Sequence, residues 1–62
     1  MPAMVYLVSA VVDDLSRVSG VRQDAKQALD LALSYQRQGY KEIRVEAEGV
    51  VYSIEQFLDL VG

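Results

Sequence analysis

The feature that most constrains this chain is the punctuation between residues 38 and 56. Gln38-Gly39-Tyr40 closes a helical pattern, since the residue just past a helix often adopts a left-handed conformation that a Cβ penalises. Residues 42–47 then alternate polar and apolar, Glu48-Gly49 supplies a two-residue turn, and residues 50–52 return. The register checks itself. With Glu48-Gly49 as the loop, Ala47 faces Val50, Val45 faces Tyr52 and Ile43 faces Ile54 on one side. Glu46 faces Val51 and Arg44 faces Ser53 on the other, so one side is apolar and the other mostly polar. A slip of one residue destroys that sorting. Ser53 and Gln56 have capping-box spacing, which opens a short last helix with Ile54, Phe57, Leu58 and Val61 on its apolar side.

Upstream, residues 21–38 carry a helical period. Ser19 or Gly20 can serve as N-cap, with Asp24 near the positive end of the helix dipole. At 100° per residue, Val21, Ala25, Ala28 and Ala32 line the middle of one face. Leu29 and Leu33 lie on one flank, Leu31 and Tyr35 on the other. Small residues at the centre let the helix approach a sheet closely. The apolar arc is wider than the ~100° stripe a surface helix needs, so one flank suits the last helix and the other wants a second neighbour. Tyr40, two residues past the helix, is placed to pack back on Tyr35.

Residues 4–12 (MVYLVSAVV) carry no charge and are rich in β-branched and aromatic types, which is strand composition. Val5 and Leu7 point one way and Tyr6 and Val8 the other, so both faces want cover. Asp13-Asp14 suits a turn. Residues 15–19 (LSRVS) alternate and fit a short return strand, or equally an irregular loop leading to the helix. Residues 1–3 read as a tail.

These elements make residues 1–62 one small α+β domain of type β(β)αββα. Three or four mainly antiparallel strands form a sheet, with the long helix on one face and the short C-terminal helix at its edge. A chain of 62 residues buries only ~60% of the surface its unfolded form exposes. Such cores usually need disulfides, a metal or oligomerisation. Cys and His are both 0, which removes the disulfide framework, the thiolate metal sites and the usual base near neutral pH. Oligomerisation is the support left open. No apolar run approaches the ~20 residues of a membrane span, and no basic region precedes the first apolar stretch, so a cytoplasmic protein without a signal peptide is expected.

No constellation for catalysis assembles. The serines lack a histidine to activate them, and the four glycines fit neither a dinucleotide fingerprint nor a P-loop. The acidic residues Asp13, Asp14, Glu42, Glu46 and Glu48 read as solvated turn and strand positions. No catalytic residue, metal or cofactor is expected. The expected function is a non-enzymatic protein–protein interaction module that self-associates as a homodimer, two-fold symmetry being the commonest closed arrangement. Its contact residues are Tyr6, Val8 and Ala10 if the second face of the sheet is used, or Leu31 and Tyr35 if the helix flank is used. The alternative is a small dimeric nucleic-acid-binding regulator that touches phosphates through Arg22, Lys26, Arg37 and Lys41, with Tyr6 as a stacking surface. The net charge of −3 weighs against it.

Overall fold

The computed structural model describes residues 4–61, so the expected tail at residues 1–3 lies outside the described residues. The elements in order are β1 (Tyr6–Asp13), β2 (Ser16–Arg22), α1 (Ala25–Arg37), β3 (Lys41–Ala47), β4 (Val50–Ser53) and α2 (Ile54–Val61). The strands form one sheet in the order β2-β1-β3-β4, and every neighbouring pair is antiparallel. This is the expected α+β class with four strands. β2 and β3 therefore run the same way on either side of β1, and α1 connects them across it.

Of the two readings of residues 15–19, the strand holds, and it is longer than the alternating stretch. Ser16–Arg22 pairs with β1 from Asp13↔Ser16 to Tyr6↔Arg22. The helix consequently starts at Ala25 instead of residue 21. Val21 fits the helical period only by coincidence of spacing; its backbone goes to the ladder opposite Leu7. The N-cap is Asp24, not Ser19 or Gly20. Its backbone is extended (φ −125°, ψ 132°) and its Oδ1 accepts from the Lys26 N–H at 3.0 Å. At the tip of the first hairpin the Asp13 carboxylate accepts from the Leu15 N–H at 2.8 Å, a local turn that competes with extended structure.

The C-terminal punctuation folds as read. Gly39 takes φ +84°, the Tyr40 N–H reaches the Tyr35 carbonyl at 3.1 Å, and the Gly39 N–H reaches Gln36 at 3.0 Å. That pair of bonds is a Schellman cap, and the accompanying apolar contact is Tyr40 on Tyr35, ring centroids 5.6 Å apart. Glu48 and Gly49 both have positive φ (53° and 79°), as a type I′ turn demands. The β3–β4 register is Ala47↔Val50, Glu46↔Val51, Val45↔Tyr52 and Arg44↔Ser53. Ser53 and Gln56 make both bonds of the capping box, at 3.2 and 3.1 Å. Ile54 opens α2 instead of extending β4, so it does not face Ile43 in the ladder, although both pack against the core.

Both helices lie on one side of the sheet. Ala28 and Ala32 of α1 are fully buried against it, as are Val8 of β1, Val45 of β3 and Phe57 of α2. Phe57 is the keystone of α2, its ring edge-on to Tyr6 at 5.8 Å and tilted on Tyr52 at 6.0 Å. Leu58, expected on the packed side of α2, is 40% exposed. At Gly20 the sheet comes so close to α1 that a Cβ there meets Leu31 Cδ2 at 2.7 Å.

Candidate functional site

The pleat of β1 sets the location of any surface site. Even-numbered residues Tyr6, Val8 and Ala10 point under the helices and are buried, while Leu7 points away. This reverses the expected interface on the sheet's second face. Tyr6, Val8 and Ala10 belong to the core, and the open face carries their odd-numbered neighbours. The physical reason lies in β3. Its register sets Val8 beside Val45 and Leu7 beside Glu46, so the charged residues of β3 carry the odd side of β1 outward with them. The helix-flank alternative loses Tyr35, which is buried beneath Tyr40, and Leu31 is half-buried over Gly20.

Across the open face the strands align their side chains in rows. One row runs Val21, Leu7, Glu46, Val51 through β2, β1, β3 and β4. The next runs Ser19, Ser9, Arg44, Ser53. Beyond it lie Arg17 opposite Val11, and Lys41 on the other side of Val11. The face is thus apolar at one end and polar at the other. Val5, Val21 and Val51 are each about half exposed, at 51%, 54% and 52%, and Leu7 lies between them at 39%. Leu7, Val21 and Val51 on one open sheet face, with Glu46 in their row and Arg44 and the serines in the next, form the main structural feature the core does not use.

At the polar end, Glu42 sits in a β-bulge. Between the pairs Ser9↔Arg44 and Val11↔Lys41, β1 has one residue and β3 has two, and Glu42 adopts φ +49°. Glu42 borders a 60 Å³ depression with Ser9, Arg17 and Arg44. That volume is far below the few hundred Å³ of a small-molecule site. A larger hollow of 390 Å³ at the first hairpin is bordered by Asp13, Asp14 and Glu42. Among the described residues no group of three or more acidic side chains is placed to hold a metal ion.

The four basic residues of the nucleic-acid alternative do not gather into one patch. Arg22 ends β2 and Lys26 lies in the first turn of α1, while Arg37 ends α1 and Lys41 opens β3. At ~1.5 Å per residue, Lys26 and Arg37 stand roughly 16 Å apart along the axis. The Arg22 guanidinium donates to the Val21 carbonyl at 2.8 Å, and the Tyr6 ring offered for stacking is buried. Among the described residues no helix is long and apolar enough to cross a membrane.

The residues that compose the open face, Leu7, Val21 and Val51, were missed as a group by sequence reasoning. Val21 fits the helical period, and Val51 falls on the polar side of its own hairpin. The signal was present in Glu46↔Val51 and needed only the β1–β3 register to extend it. No protein-family model matches this chain, and no curated protein or solved structure matches it.

Proposed function

We propose that this domain is a non-enzymatic interaction module, residing in the cytoplasm, that self-associates as a homodimer through the open face of its sheet. The observation that carries this reading is the set Val21, Leu7 and Val51, partly exposed on a face that neither helix covers, with Glu46 between Leu7 and Val51. A second copy fits it because the face holds its own complement, Glu46 within the row of Val21, Leu7 and Val51 and Arg44 in the next row on β3. Two four-stranded faces stacked about 10 Å apart make a β-sandwich core of ordinary thickness. Stacking also supplies what a short chain lacks, a second buried layer.

The test is solution mass by sedimentation or light scattering across a dilution series. The expected result is twice the 6.9 kDa chain mass. Leu7→Lys should convert it to a folded monomer, since Leu7 is on the open face. Val8→Lys, one residue on, should unfold the chain because Val8 has no exposure. A parent protein that stays monomeric at every concentration overturns the proposal, as does a Leu7→Lys variant that remains fully dimeric.

A further inference from the structure

We propose that Arg22 guards the one long free edge of the sheet, its guanidinium keeping copies of this chain from pairing strand to strand through β2. This role does not depend on the open-face homodimer, because it concerns the rim of the sheet and not its face.

An open sheet presents unpaired backbone N–H and C=O groups along its outer strands, and these invite a further strand. The order β2-β1-β3-β4 makes β2 and β4 the edges. They are not equally vulnerable. β4 has four residues and passes directly into α2. β2 has seven, contains no proline, and pairs with β1 without a break from Arg17 to Arg22. Laid antiparallel on a copy of itself about Ser19, β2 sets Ser16 against Arg22, Arg17 against Val21 and Val18 against Gly20. Each pair joins residues on the same face of the sheet, and no like charges stand opposite. The middle of the strand, Val18-Ser19-Gly20-Val21, carries no charge of its own.

The strand has two cations, and they are used differently. Arg17 borders the depression shared with Ser9, Glu42 and Arg44, so it leans across the open face toward β1 and β3. Arg22 folds back along β2. Its Nη1 donates to the Val21 carbonyl at 2.8 Å and lies 3.6 Å from the Cβ position of Gly20. Arg22 is half-buried and borders a hollow with Gln27, Asp30 and Leu31 of α1. Gly20 has no side chain to hold the guanidinium off, so a charged group lies over the uncharged middle of the edge. A strand added there strips water from that group or displaces it from its carbonyl. The self-pairing returns no anion in exchange, since Ser16 is what it sets opposite Arg22.

Arg22→Thr removes the guard and leaves a residue that suits a strand. It also takes a positive charge from a chain already at −3, which by itself opposes association. Arg37→Gln changes the net charge identically at the end of α1. Sedimentation mass is compared with the parent at equal protein concentration, with far-UV circular dichroism to confirm the fold. Arg22→Thr should at least double the parent mass and grow with concentration, while Arg22→Lys and Arg37→Gln stay at the parent mass. Should Arg22→Thr lose its dichroism, Arg22→Gln gives the same readout with a longer side chain. Parent mass for the folded neutral variant at every concentration overturns the guard. Equal growth of Arg37→Gln also overturns it, because net charge would then be the cause, and so does equal growth of Arg22→Lys. The parent's own mass tests the homodimer and the ratios to it test the guard, so either can fail alone.

Discussion

The chain builds the same unit twice: β1–β2–α1 and β3–β4–α2 are each a hairpin followed by a helix. The first strands of the two units pair at the centre of the sheet, and the second strands form its edges. The two units are specified differently. In the second, each boundary is written by the residues beside it: the positive φ values at Glu48 and Gly49, the sorted register, and the Ser53–Gln56 capping box. In the first, the boundaries depend on residues far away. β2 is a strand because β1 accepts it and α1 covers it, and the stretch around Val21 has a helical period that tertiary pairing overrides. A unit with strong local punctuation needs little from its partner; a unit without it borrows its shape from the sheet.

The largest expected effect tests whether the self-specified unit also holds the borrowed one. Phe57 comes from α2, yet its ring packs on Tyr6 of β1 as well as Tyr52 of β4. Removing a fully buried phenylalanine costs about 3–5 kcal/mol, and a core of this size supplies roughly that much in total. Phe57→Ala should therefore lose its cooperative melt by far-UV circular dichroism. A melt within about 5 °C of the parent at equal protein concentration would show that the first unit stands without the second.

Gly20 and Gly49 sharpen the contrast, because the two units use glycine for different reasons. Gly49 needs its φ of +79° and has no atom within 4 Å of a Cβ position. Gly49→Ala should cost about 1 kcal/mol through the backbone alone. Gly20 needs the space under Leu31, so Gly20→Ala should cost about 1–3 kcal/mol by overpacking. The diagnostic is the double variant. Leu31→Ala should recover part of the Gly20→Ala loss and none of the Gly49→Ala loss, as read by denaturant unfolding. Additive losses in both pairs would mean that Leu31 swings aside freely and that Gly20 is not held by packing.

The same division explains what could be read from the chain. The turn and register of the second hairpin, the Gly39 cap and the capping box of the last helix are legible because their determinants lie within a few positions of one another, whereas Ile54 leaves the expected pairing with Ile43 and Leu58 is exposed. The start of α1 was not, since Val21 satisfies both a helical and a strand pattern and only pairing with Leu7 decides. The open face was legible as a need and not as a location. β1 is apolar on both sides, so its own residues do not reveal which side the helices take. That choice is made by β3, where Val45 draws Val8 inward and Glu46 carries Leu7 outward.

The smallest expected effects lie at the helix starts, where the two units solve one problem with different redundancy. Asp24 caps α1 through one side-chain bond, from the Lys26 N–H to its carboxylate. Asp24→Ala leaves that donor to water and should cost about 1 kcal/mol, or ~4–8 °C in Tm. Asp24→Asn should recover nearly all of it, because asparagine caps as well as aspartate. Ser53 shares its work. In Ser53→Ala the Gln56 N–H loses its acceptor, but the Gln56 side chain still takes the backbone N–H of residue 53. That substitution should cost about half as much, roughly 0.5 kcal/mol, and only Ser53→Ala combined with Gln56→Ala should reach the Asp24→Ala loss. Equal losses for Asp24→Ala and Ser53→Ala would mean that the reciprocal box adds nothing, and that the second unit's advantage rests on its turn and register alone.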